Sequence, residues 1–171
     1  MKILKGLRAV PIHDDNLHLG CIKGALEFLD MDVSAPWLAG GTGHAFVIRI
    51  TPGVCLGDVR DTLEAAYRDG TMAKLGMNLG YELDCRFVDR GADSFRADRE
   101  KVWRDLRTAI DSGHPCYMVH NFCYQMIGGH DGDGIYFAKA SFPNSNAGQG
   151  PIPLPESGGF ELTIVRPAKR K

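Results

Sequence analysis

Apolar residues recur along this chain with two different periods, and the changes between them divide it into elements. Cys21, Ile22, Ala25, Leu26 and Leu29 fall three and four apart, which predicts a short helix over 21–31. Ala45 to Ile50 is rich in β-branched residues and stops at Thr51-Pro52-Gly53, as a strand would. Over 58–69, Asp58 is placed to cap a second helix whose inner face holds Val59, Leu63, Ala66 and Tyr67. The period then shortens to two. Leu79, Tyr81, Leu83, Cys85 and Phe87 alternate with Gly80, Glu82, Asp84 and Arg86, which predicts a half-buried strand over 79–88.

A helical stripe returns with Val102, Trp103, Leu106, Ala109 and Ile110. Ser94 or Asp98 is placed to cap it, and Gly113 and Pro115 stop it. Strands follow at about 116–120 and 123–128. The turn chemistry of His130-Asp131-Gly132-Asp133-Gly134 makes 123–139 a hairpin. Residues 143–159 hold four prolines with many Gly, Ser and Asn and read as a long loop, and Phe160 to Val165 closes the chain as a strand. Helices come early and strands late, so the expected fold class is α+β rather than alternating βαβ units.

The totals change this picture little. The 171 residues suit a single domain, 1–171, able to bury a core without disulfides or metals. With 20 basic and 21 acidic residues the charge is balanced, which argues against a nucleic-acid partner. The basic tail 166–171 reads as a solvated end. No stretch has the ~18–20 apolar residues of a membrane span, and charged Lys2 and Lys5 stand where a signal peptide needs its apolar run. A cytoplasmic location with no membrane partner is the expectation. The five cysteines form no CxxC pair, so the expectation is thiols packed as small core residues, with no cofactor. The strand at 79–88 offers an edge through which a homo-oligomer could pair.

Candidate chemistry begins at Cys21. It follows His18-Leu19-Gly20 and opens the predicted helix. There the positive end of the helix dipole would lower its pKa, and Gly20 would leave room for a substrate. A nucleophilic cysteine also needs a histidine delivered from elsewhere in the fold.

Three segments in order carry a family resemblance: Cys21-Ile-Lys-Gly-Ala-Leu; the glycine-rich Leu38-Ala-Gly-Gly-Thr-Gly-His-Ala-Phe-Val-Ile; and Gly113-His-Pro-Cys-Tyr-Met-Val with Tyr124-Gln-Met-Ile-Gly-Gly-His-Asp-Gly-Asp-Gly-Ile-Tyr-Phe. Over roughly residues 13–140 this order resembles the BtrH-like N-terminal domains (butirosin biosynthesis protein H) and the wider C39-like papain-fold group. The resemblance implies a papain-like arrangement, with the cysteine helix packed on an antiparallel sheet and a "GYD" hairpin beside a catalytic histidine. It also implies acyl transfer or hydrolysis. Departures are visible. Tyr124 and Gln125 occupy the neighbourhood of the family histidine, and His130 stands at the tyrosine of "GYD". The candidate site is therefore Cys21 as nucleophile, His120 or His130 as base, Asp131 to orient it, and either Asn16, five residues before Cys21, or the helix N–H groups to hold an oxyanion.

The leading expectation is a cysteine-dependent acyl hydrolase or acyltransferase. The alternative is a non-catalytic module binding a small molecule or peptide on the same fold. A third reading takes His13, Asp15 and His18 as ligands of a divalent transition metal. Gly40-Gly41-Thr42-Gly43-His44 lacks the Gly-Lys-Ser/Thr ending of a phosphate loop and reads as a tight turn, with His44 at a strand entrance. Asp131 and Asp133 are too few for a calcium loop. Trp37 and Trp103 are expected to pack in the core or a cleft.

Overall fold

The computed structural model describes residues 1–12, 17–43, 45, 71–89, 91–120, 123–138, 150–156 and 158–168. In these the chain forms β1 (Lys2–Ile3), α1 (Leu17–Phe28), α2 (Ala35–Gly41), α3 (Thr71–Asn78), β2 (Tyr81–Val88), α4 (Phe95–Asp111), β3 (Cys116–His120), β4 (Cys123–His130), β5 (Ile135–Phe137) and β6 (Phe160–Pro167). The class is α+β. The strands make one antiparallel sheet in the order β1-β4-β3-β6-β2, with β5 added on β4. No helix among the described residues is long and apolar enough to cross a membrane.

Strand register decides what faces what. Cys85, Thr163 and Tyr117 lie directly opposite one another across β2, β6 and β3, and so do Phe87, Glu161 and Val119 one step along. These residues share one face of the sheet. His18 on α1 bonds Tyr117 there, and Gly76 on α3 lies against the ring of Tyr81, so α1 and α3 cover that face. The opposite face carries Cys116, Met118, Leu162 and Ile164, all buried. It receives α4 through Val102, Leu106, Ala109 and Ile110.

α1 is buried on nearly every side. Leu19, Cys21, Ile22, Ala25 and Leu26 are all 2% exposed or less. Its glycines explain how the N-terminal segment fits against it. A Cβ on Gly20 would stand 2.7 Å from the Val10 carbonyl oxygen, and one on Gly24 would fall inside the Arg8 carbonyl. The Val10 amide donates to the Gly20 carbonyl at 3.0 Å. Gly20 and Gly24, one helical turn apart, form a groove in which residues 8–10 lie directly on the helix. The room at Gly20 is filled by the chain itself rather than kept for a substrate.

Several sequence expectations need correction. α1 begins by Leu17, not Cys21. Of the tight turn expected at Gly40–His44, Gly40 and Gly41 instead end a helix over Ala35–Gly41, and the turn is confined to Thr42 and Gly43, the latter at φ +79°. Ser34 Oγ accepts from the Trp37 amide, and Pro36 sits in the first turn, where its missing N–H costs nothing. That start points Leu38 inward, 0% exposed, and leaves Trp37 67% exposed instead of packed. Trp103 is half-buried. The tail expectation fails at Arg166, which belongs to β6 and pairs with Asp84 at 2.8 Å. α3 had no counterpart in the reading of the sequence. The predicted strand beyond Ala45 and the predicted helix at 58–69 lie outside the described residues.

The loop at 143–159 is described over 150–156 and at 158–159, and that part is strapped down. Ile152 exchanges two backbone hydrogen bonds of 2.9 Å with Ile135, and Leu154 is buried. Arg99 on α4 donates to the carbonyls of Pro155 and Leu154 at 2.9 and 2.8 Å. Arg99→Ala is expected to cost about 1 kcal/mol, since these bonds to a charged donor are only partly screened from water. It should also speed proteolytic cleavage at 150–156. Unchanged cleavage kinetics would show that Leu154 alone holds the strap.

Candidate functional site

Among the described residues, the expected site residues Cys21, His130 and Asp131 do not converge. Cys21 lies four residues after Leu17, a full turn inside α1, where its amide belongs to the helix rather than to a free N-terminus. It is 1% exposed, and burial pushes its thiol far above the ordinary cysteine value. Nucleophilic attack needs a thiolate, which a helix N-terminus would favour, whereas burial raises the pKa of a thiol. Cys116 and Cys85 are pushed up for the same leading reason, to about 12 and about 11. All three are free thiols.

His130 lies across the sheet from Cys21. Ile127 faces α4, because it pairs with buried Cys116. Between Ile127 and Gly129 the pairing with β5 shifts, so that Gly128 is a bulge. The extra residue turns His130 to the α4 side. There its Nε2 lies 3.0 Å from Asp111 Oδ1 and its ring meets Trp103 edge-on at 6.2 Å. It cannot serve as a base for a residue on α1.

Asp131 does not orient a histidine either. Its Oδ1 accepts from the amides of Asp133 and Gly134, and its Oδ2 from the Tyr136 hydroxyl at 2.8 Å. The bond from Tyr136, then the backbone amide of Asp133, hold its carboxyl below the usual value. A depressed carboxyl adds stability above its unfolded pKa and loses it as pH falls through the folded one. Asp131 thus secures the hairpin turn.

His120 closes β3 opposite Cys123, and its side chain lies outside the described set. Asn16, His13, Asp15 and His44 also lie outside it. His18, the remaining member of the metal reading, is 1% exposed with Nε2 2.9 Å from the Tyr117 hydroxyl. Among the described residues no three His, Cys, Asp or Glu side chains converge to hold a metal ion.

The structure instead assembles a polar cluster that the sequence did not announce. His18 stacks on Tyr124 with ring centroids 4.4 Å apart while bonding Tyr117. Thr163, beside Tyr117 across β6, lies 3.1 Å from Glu161 Oε1 as a donor and 3.6 Å from Cys85 Sγ. His18, Tyr117, Thr163 and Glu161 are each at least nine-tenths buried. Burial first, then the nearby Cys85 and Glu161, keep the Tyr117 phenol well above its ordinary pKa, so its hydroxyl stays protonated. Burying this many polar groups is costly unless they satisfy one another, and such clusters concentrate at functional sites. The only sequence signal was pairing: Tyr117, Thr163 and Cys85 meet through β register, which a single strand's pattern does not contain.

Among the described residues, two openings border the sheet. The larger, about 780 Å³, is lined by the turn over 3–8, the second half of α1, and Gly128 and Tyr136–Ala138. Its carboxylate, Glu27, is already engaged by Lys23 at 3.2 Å and Arg8 at 3.7 Å. The smaller, about 480 Å³, is lined by Phe87–Asp89, Val119 and Gly159–Glu161, so the polar cluster opens into it through Glu161.

The fold and this cluster define an α+β domain with helices on both faces of an antiparallel sheet and a polar core between α1 and that sheet. No protein-family model, curated protein or solved structure matches the chain.

Proposed function

We propose that this chain is a non-catalytic binding domain for a small molecule or peptide, built on a papain-like, C39-like arrangement. The observation that carries this reading is the state of Cys21: buried in the second turn of α1, with its thiol raised rather than lowered. Cysteine catalysis needs an accessible, low-pKa thiolate within reach of a base, and the described histidine of the hairpin faces the other way. A cysteine-bearing helix across an antiparallel sheet supports the papain-like assignment. In this reading the arrangement persists while Cys21 serves as core packing. The smaller opening, with a carboxylate backed by a hydrogen-bonded cluster, is the binding cleft. Three free thiols fit a reducing cytoplasm.

Iodoacetamide alkylation of the native protein across about pH 6–9, with peptide mapping, tests the reading. Cys21 is expected to react at least ~1000-fold slower than in the urea-unfolded chain, because both access and thiolate fraction are suppressed. Rapid, selective alkylation of Cys21 with an apparent pKa near ~6 would instead restore the cysteine-dependent acyl hydrolase or acyltransferase.

A further inference from the structure

We draw no further inference here: the strongest candidate, the cavity of about 780 Å³ between the turn over 3–8, the second half of α1 and β5, carries nothing, because its carboxylate Glu27 is already paired with Lys23 and Arg8, Phe137 in its wall already has a partner, and nothing in the structure shows what covers it.

Discussion

Gly24→Val is expected to cost about 3 kcal/mol or more, a large share of the ~5–15 kcal/mol that holds a domain together. Intrinsic preference points the other way, since glycine inside a helix costs roughly 1 kcal/mol relative to alanine. What decides the sign is the Arg8 carbonyl, which occupies the space any Cβ would need. It is backbone, so it cannot swing aside as a long side chain would. The segment must lift from α1, and Leu7 and Ala9, both buried, go with it. Urea unfolding of Gly24→Ala and Gly24→Val checks this. A valine variant within ~1 kcal/mol of wild type would show that the segment yields without loss of packing.

The second large effect is expected at Tyr117. Tyr117→Ala should cost about 3–5 kcal/mol, as aromatic truncations in well-packed cores do. Tyr117→Phe separates the ring from its hydroxyl. It keeps the packing and removes the hydroxyl that lies 2.9 Å from His18 Nε2. Losing one buried hydrogen bond in this way costs about 0.5–1.5 kcal/mol. The expected order of stability is therefore wild type, then Phe, then Ala, with a clear gap at each step. A Phe variant as stable as wild type would show that the His18–Tyr117 bond contributes nothing net, and that the cluster is held by ring packing alone.

The elements that the chain's patterning identified well are those whose burial follows from one segment. The stripe at Val102, Leu106, Ala109 and Ile110 is the buried face of α4, and Gly113 ends it with φ +81°. The alternation at 79–88 is β2, buried at Tyr81 and Leu83. The turn at Asp131–Gly134 closes the β4–β5 hairpin. α2 has no counterpart in the apolar pattern, where Gly40 to His44 reads as a tight turn, although Ser34 followed by Pro36 marks a helix start. The start of α1 was misplaced because the apolar spacing begins at Cys21, while the helix runs back through a glycine that packs against backbone. That error of one turn mattered most, since it moved Cys21 from a supposed helix N-terminus into the core.

The candidate site was far less legible. Strict alternation along β4 would put Tyr124, Met126, Gly128 and His130 on one face, beside α1. One bulge at Gly128 sends His130 to the other side, and no property of that residue alone announces it. Likewise Tyr117, Thr163 and Cys85 lie in three strands separated by long stretches of chain, and they meet only because β6 pairs with both β2 and β3. By itself the sequence determined the helix of 95–111, the strands β2 to β6, the hairpin turn and the α+β class, because each follows from the local periodicity of apolar residues and from turn chemistry. Only the tertiary structure decided that Cys21 is buried, that His130 faces away from it, and that a polar cluster ends at Glu161, because burial and meeting across a sheet depend on register and on what packs above it.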